Sequence, residues 1–205
     1  MAFIETTPAA EAVDEVRKLY ERQQAQHGYV PNYAKVFCYR PEIMKLWADL
    51  LASIRQPLDK RRFELVTTAA AHALRSTYCS LAHGKALTEF FSAEEIQAMM
   101  SDTQSGPLSA AEVAMVNLAR KVALDASSVT AADIGALKEC GITDPEIFDI
   151  VAAAAGRAFF SKLVDGLGAD ADSEFLDMEE SLRESLTVGR PIDPLTPERL
   201  SEAAP

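Results

Sequence analysis

"ELVTTAAAHALRSTYCSLAHGK", residues 64–85, decides how this chain folds. Its part "LVTTAAAHAL" carries no carboxylate, lysine or arginine, so a helix built from it has no solvated face and must be enclosed by other helices. The spacing predicts a buried helix over 58–74, with Glu64 as the one acid bordering its charge-free part. Ser76-Thr77 interrupts it and offers an N-cap for a second helix over 77–91. With Ser76 as the cap, Cys79 falls at the third helical position. Backbone N–H groups are unpaired there, and the positive end of the helix dipole favours thiolate over thiol. His83 stands at i+4 from Cys79, on the same face. An antiparallel return of the second helix turns Glu64 toward the same cleft, and a Cys–His pair oriented by a Glu is the layout of an activated nucleophile. The plainer reading is a small buried cysteine and a merely hydrogen-bonded histidine. Metal binding by Cys79, His83 and either Glu64 or His72 lacks a supporting CxxC or HxxxH, so no metal is expected.

Outward from this stretch the chain reads as helical almost throughout. Thr7-Pro8 predicts a helix over 8–26 with Val13, Val16, Leu19 and Tyr20 on one face. "HGYVPN" breaks it through Gly28 and Pro31, and Asn32 is read as a turn residue first and a pocket residue second. Pro41 opens a helix with Ile43, Leu46, Trp47, Leu50, Leu51 and Ile54 at helical spacing, closed by Gln56-Pro57. Four starts, "SAEE" at 92, "SAAE" at 109, "TAAD" at 130 and "TDPE" at 143, place an acid three residues after a hydroxyl. They predict helices near 93–100, 110–125, 131–140 and 144–166, with Gly141 and Gly166/Gly168 as stops. A last amphipathic helix is expected over 172–187 through Phe175, Met178, Leu182 and Leu186. The result is an all-α fold in which the two halves share a rhythm consistent with a duplicated helical unit. One domain spans 1–189, and the proline-rich tail 190–205 is expected to be loosely held.

Composition narrows the function. The chain has 205 residues, 48% of them apolar, enough for one sizeable core or two small packed halves. A net charge of −11 excludes a nucleic-acid binder, which needs clustered Lys and Arg. The first fifteen residues lack a basic and an apolar segment, so no signal peptide is expected, and no apolar run is long enough for a membrane span. Cys38, Cys79 and Cys140 are sparse and unpaired in spacing, which fits a reducing cytoplasm. Cys38 and Cys140 are read as core cysteines. Trp47, Phe159 and Phe160 are read as core or subunit interface, and His27 as a partner of a helix C-terminus. His72 is as consistent with a satisfied core histidine as with a pocket lining. Tyr78, beside the cysteine, either packs or donates a proton.

Residues 64–83 resemble the core motif of the alkylhydroperoxidase D / carboxymuconolactone decarboxylase superfamily: a Glu, then a CxxC twelve residues later, then a His. Glu64, Cys79 and His83 match, whereas Ser76 replaces the first cysteine. "GYVPN" at 28–32 and "CGITDPEIFDIVAAAAGRAFFSKLVDGLG" at 140–168 resemble the longer peroxidase-related branch. The resemblance implies an all-helical fold, a homo-oligomer (trimer, hexamer or dimer), no cofactor, and Cys79 as the reactive cysteine assisted by His83 and Glu64. Without a cysteine at position 76, a sulfenic acid on Cys79 has no neighbour to resolve it. The expected activity is therefore a one-cysteine peroxidase on a small molecule, regenerated by an external thiol. The other readings are a cofactor-free lyase or isomerase, in which Glu64 and His83 act on a small organic acid or lactone and the helix start at Ser76 holds an anion, and a catalytically silent binding protein.

Overall fold

The computed structural model describes residues 2–194, and the described residues form helices and turns with one isolated bridge, Ala171 to Ile192. The helices are α1 (Asp14–His27), α2 (Asn32–Val36), α3 (Pro41–Arg55), α4 (Lys60–Ala73), α5 (Thr77–Leu87), α6 (Ala93–Ser101), α7 (Ala110–Asp125), α8 (Ala131–Glu139), α9 (Asp144–Gly166) and α10 (Glu180–Leu186).

Helix α4, charge-free from Leu65 onward, lies at the centre, packed against α5, α7 and α9. Leu65, Val66, Ala69, Ala70 and Ala71 are fully enclosed, and the small alanines let three helix backbones come close at once. Asp59 starts α4 by accepting a hydrogen bond from the Arg62 backbone N–H. Arg75 ends it in a left-handed conformation (φ 59°), with Ser76 N–H donating to the Ala71 carbonyl at 3.0 Å. That turn sends α5 back along α4, and it brings His83 against Glu64, nineteen residues earlier in the chain. Gly189 lies against the Arg75 carbonyl, where a Cβ would collide with backbone.

The cap signals at 92 and 109 form complete boxes, Ser92 with Glu95 and Ser109 with Glu112. At Thr130 and Thr143 the acid three residues on accepts from both the backbone N–H and the hydroxyl of the threonine.

Four expectations are corrected. Helix α1 starts at Asp14, not at residue 8: a single 3-10 turn covers Ala9–Glu11, and Val13 is extended and solvent-exposed. Helix α5 ends at Leu87, and turn hydrogen bonds carry the chain through Phe91. The expected helix 172–187 is split, because Met178 is extended and the Glu179 carboxylate caps a new start by accepting from Ser181 and Leu182 N–H. The first residues of the expected loose tail are held: Arg190 pairs with Asp170 at 2.6 Å, and Asp193 N–H donates to the Ala171 carbonyl. The rest of that tail, 195–205, lies outside the described residues. No helix among the described residues is long and apolar enough to cross a membrane.

Candidate active site

A cavity of about 730 Å³ opens between α1, α3, α4, α5 and α9. Glu64, Tyr78, Cys79 and His83 all line it, so the antiparallel α4–α5 pair brings the three sequence-read reactive residues to one wall. The lining is otherwise largely apolar and aromatic, with Met44, Trp47, Leu51, Phe63 and Phe160. Trp47 and Phe160, read from sequence as core or interface, stack here with centroids 5.3 Å apart.

Glu64, 4% exposed, accepts from His83 Nδ1 at 2.6 Å. A carboxylate only accepts, so the contact fixes the imidazole proton on Nδ1 and leaves Nε2 as the free basic nitrogen. Burial lowers the His83 pKa below its ordinary 6.5, the Arg157 guanidinium pushes it the same way, and the Glu64 carboxylate opposes both. The histidine is therefore neutral at neutral pH, the form that acts as a base. Its acid limb is expected below pH 6.5, checked by NMR titration of the His83 ring. Glu64→Gln removes an interaction that raises the pKa and should move the limb lower. Removing the Arg157 charge should move it higher.

The Cys79 thiol corrects the simple Cys–His pair. Among the described residues its hydrogen bond is from Arg157 Nη1, at 3.5 Å, and not to His83. Arg157 comes from α9, is 4% exposed and packs over the Phe160 ring with its Cζ 5.5 Å from the centroid. The sequence reading passed over this residue. Its signal was present: Arg157 is the lone charged residue in "IVAAAAGRAFFS", residues 150–161, where a cation has no solvated face to occupy. Tyr33, Gln23 and His27 were also missed as lining. Tyr33 donates to Gln23 Oε1 at 2.5 Å and meets His27 Nε2 at 3.3 Å.

The remaining readings are changed by the packing. Ser76 stands at the N-cap position but its hydroxyl makes no capping bond; it is buried and faces Asp165, without a hydrogen bond of ordinary length between Ser76 Oγ and Asp165 Oδ1. Ser76 therefore contributes neither a cap bond nor a cavity wall. Tyr78 presents its ring to the cavity, while its hydroxyl donates to Asp172 Oδ2; burial pushes its pKa well up, so it is not placed as a proton donor to the cysteine. Asp172 also accepts from the Tyr29 hydroxyl and the Asn32 N–H. Asn32 therefore opens α2 and ties it to Asp172, Asp193 and the Asp170 carbonyl; it borders a separate small polar cavity and not this one. His72 lies away from the cavity, half-buried near Ser185 and Arg120, with its pKa lowered by burial. Cys38 is buried beside Tyr20, whereas Cys140 is exposed at the end of α8, contrary to its reading as a core cysteine. All three cysteines are free, and among the described residues no group of three or more His, Cys, Asp or Glu side chains is placed to hold a metal ion.

Residues 41–119, which include Glu64, Cys79 and His83, match the carboxymuconolactone decarboxylase family. The fold is similar to that of an alkylhydroperoxidase AhpD core, peroxidase-related protein from Ralstonia eutropha JMP134, with a TM-score of 0.75 at 24% identity over 86% of this chain and 95% of that one. A peroxidase-related protein from Silicibacter sp. TM1040 gives 0.74 at 20% identity over 86% and 95%. The debrominase Bmp8, as a cysteine-to-alanine variant in complex with 2,3,4-tribromopyrrole, gives 0.68 at 13% identity over 90% and 95%. No curated protein sequence matches the chain.

Proposed function

We propose that this chain, whose residues 41–119 match the carboxymuconolactone decarboxylase family, is a one-cysteine thiol peroxidase acting on organic hydroperoxides. The observation that carries it is the hydrogen bond from buried Arg157 to Cys79 Sγ, in the cavity that also receives neutral His83 backed by Glu64. A guanidinium donating to sulfur stabilises the thiolate, the nucleophilic form. His83 Nε2 takes the thiol proton. The sulfur attacks the terminal peroxide oxygen: an S–O bond forms, the O–O bond breaks, and its electron pair leaves on the alkoxide, which recovers the proton from His83. Cys79 is oxidised by two electrons to a sulfenic acid, and the hydroperoxide is reduced to an alcohol. With serine at position 76, an external small thiol displaces water from the sulfenic acid to form a mixed disulfide. A second thiol then releases Cys79 and an external disulfide.

The aromatic walls favour an organic hydroperoxide over hydrogen peroxide, since apolar burial supplies affinity that a two-oxygen molecule cannot use. The bromopyrrole in complex with the Bmp8 variant agrees with small ring-sized guests for this fold. The test is mass spectrometry of the protein after one equivalent of cumene hydroperoxide, which should add one oxygen at Cys79 and regenerate the thiol on addition of a small thiol. An unmodified Cys79 under conditions that consume peroxide rejects the reading.

One observation favours a second reading, the cofactor-free lyase or isomerase. The Glu64–His83 pair is assembled without sulfur, so acid–base chemistry at Nε2 needs no cysteine.

The assembly belongs to the same proposal. Leu46 (65% exposed) and Leu50 (53%) on α3 stand out in solvent, and half-exposed Phe159 on α9 meets Trp47 beside them. A face of this kind is costly to leave wet, which supports a homo-oligomer closed through α3 and α9. Light scattering is expected to give a multiple of 22.3 kDa, and Leu46→Glu with Leu50→Glu is expected to shift the particle toward monomer. A wild-type monomer at micromolar concentration rejects the assembly.

A further inference from the structure

The lining of the active cavity is electrically unlike the rest of the chain. The protein carries a net charge of −11, yet three cations line this cavity, Arg55, Lys60 and Arg157, against one carboxylate, Glu64. That carboxylate is already engaged with His83. Lys60 is held by Glu89 at 2.6 Å, so its charge is answered locally. Among the described residues neither Arg55 nor Arg157 has a carboxylate partner.

The two free guanidiniums differ in depth. Arg157 is buried, and its Nη1 is committed to Cys79 Sγ. Arg55, in the last turn of α3, is exposed at the mouth and lies over the Phe63 ring, 5.5 Å from the centroid. Its charge is felt inside, since it helps to lower the His83 pKa. Between the two arginines the walls are aromatic, so a guest spanning the cavity has an apolar body.

We propose that the substrate is an organic anion, with its carboxylate held at the mouth by Arg55, its apolar body between Trp47, Phe63 and Phe160, and its reactive group at Cys79. The carboxylate belongs at Arg55 and not at Arg157, because Arg157 is buried with its Nη1 already committed to Cys79 Sγ, whereas Arg55 is exposed and has no carboxylate partner among the described residues. A guanidinium at a half-enclosed mouth can meet a carboxylate with two parallel N–H donors, which selects anion over neutral analogue. The identity of the reactive group as a hydroperoxide rests on the peroxidase reading; the anion preference does not.

Trp47 is the sole tryptophan of the chain and lines the cavity, so its fluorescence reports occupancy directly. The binding probes are cumyl alcohol and its para-carboxylate, which differ by the one carboxylate group and resemble the product of reduction. The carboxylate is expected to bind about tenfold tighter, a difference of about 1.4 kcal/mol, and added salt should shrink the gap. Arg55→Gln should erase the preference and leave cumyl alcohol binding unchanged; the exposed position makes misfolding no explanation for the loss. Cys79→Ser, which removes any thiol chemistry, should keep the preference. In turnover, Arg55→Gln should raise KM for the para-carboxylate of cumene hydroperoxide about fivefold more than it raises KM for cumene hydroperoxide itself. Equal binding of alcohol and carboxylate to the wild-type protein overturns the proposal, and so does a preference that survives Arg55→Gln. A preference lost only in Arg157→Met would put the anion at the sulfur and overturn its placement. Turnover surviving in Cys79→Ser, with the binding preference intact, would remove the peroxidase reading and leave the anion site standing.

Discussion

Cys79→Ser is expected to lower hydroperoxide turnover by at least about 10³-fold, with the fold and the Glu64–His83 pair intact. The size follows from chemistry: a serine hydroxyl at neutral pH has almost no alkoxide and cannot take up and release oxygen reversibly as sulfur does. Serine is a close fit for the site, because Cys79 is 2% exposed and its hydrogen-bond donor, Arg157, can serve an oxygen equally well. Glu64→Gln separates the two readings. Its amide oxygen can still accept from His83 Nδ1, so the ring stays oriented while the charge is lost. Under the peroxidase reading this costs about tenfold to 10²-fold, because the thiolate remains supported by Arg157. Turnover of hydroperoxide and of candidate lactones or small organic acids should be measured for both variants side by side. Full activity in Cys79→Ser, together with a dead Glu64→Gln, establishes the acid–base reading and ends the peroxidase one.

Arg157→Met is expected to lower turnover by about 10²-fold while leaving stability unchanged or raising it by about 1 kcal/mol or more. The two effects have one cause. Arg157 is a buried cation without a carboxylate partner among the described residues, and its Nε makes no hydrogen bond. Burial of such a group is unfavourable, whereas a methionine of similar length fills the same space beside Phe160 without that cost. What the guanidinium supplies is the donor to Cys79 Sγ and a positive charge near His83. Function held at the expense of stability is the usual signature of a site residue. Thermal unfolding and single-turnover oxidation of Cys79 check the two halves. A loss of more than about 2 kcal/mol with turnover unchanged would make Arg157 a packing residue and remove it from the chemistry.

The local layer of this protein is written in its sequence. The charge-free run 65–74 requires burial, and α4 is the enclosed centre. Hydroxyl–acid pairs at 92, 109, 130 and 143 start helices where they stand, because capping is satisfied within four residues. Glu64, Cys79 and His83 were legible for the same reason, since one tight turn and helical spacing suffice to bring them together.

What failed to be legible depends on residues far apart in the chain. Ser76 reads as a cap from its neighbours, but α9 brings Asp165 to it and the hydroxyl makes no cap bond. Asn32 reads as a turn residue first and a pocket residue second, and Tyr78 as packing or a proton donor, yet the polar groups of both are drawn to Asp172, which arrives from beyond α9. Arg157 lies 78 residues from the sulfur it serves, and no local periodicity encodes a contact of that span. The tertiary structure alone decided that the thiol meets an arginine and that Arg55, Lys60 and Arg157 line one cavity with Trp47, Phe63 and Phe160. Side-chain identity dictates what must be buried or capped, but only the packing of α3, α5 and α9 around α4 dictates which buried groups meet.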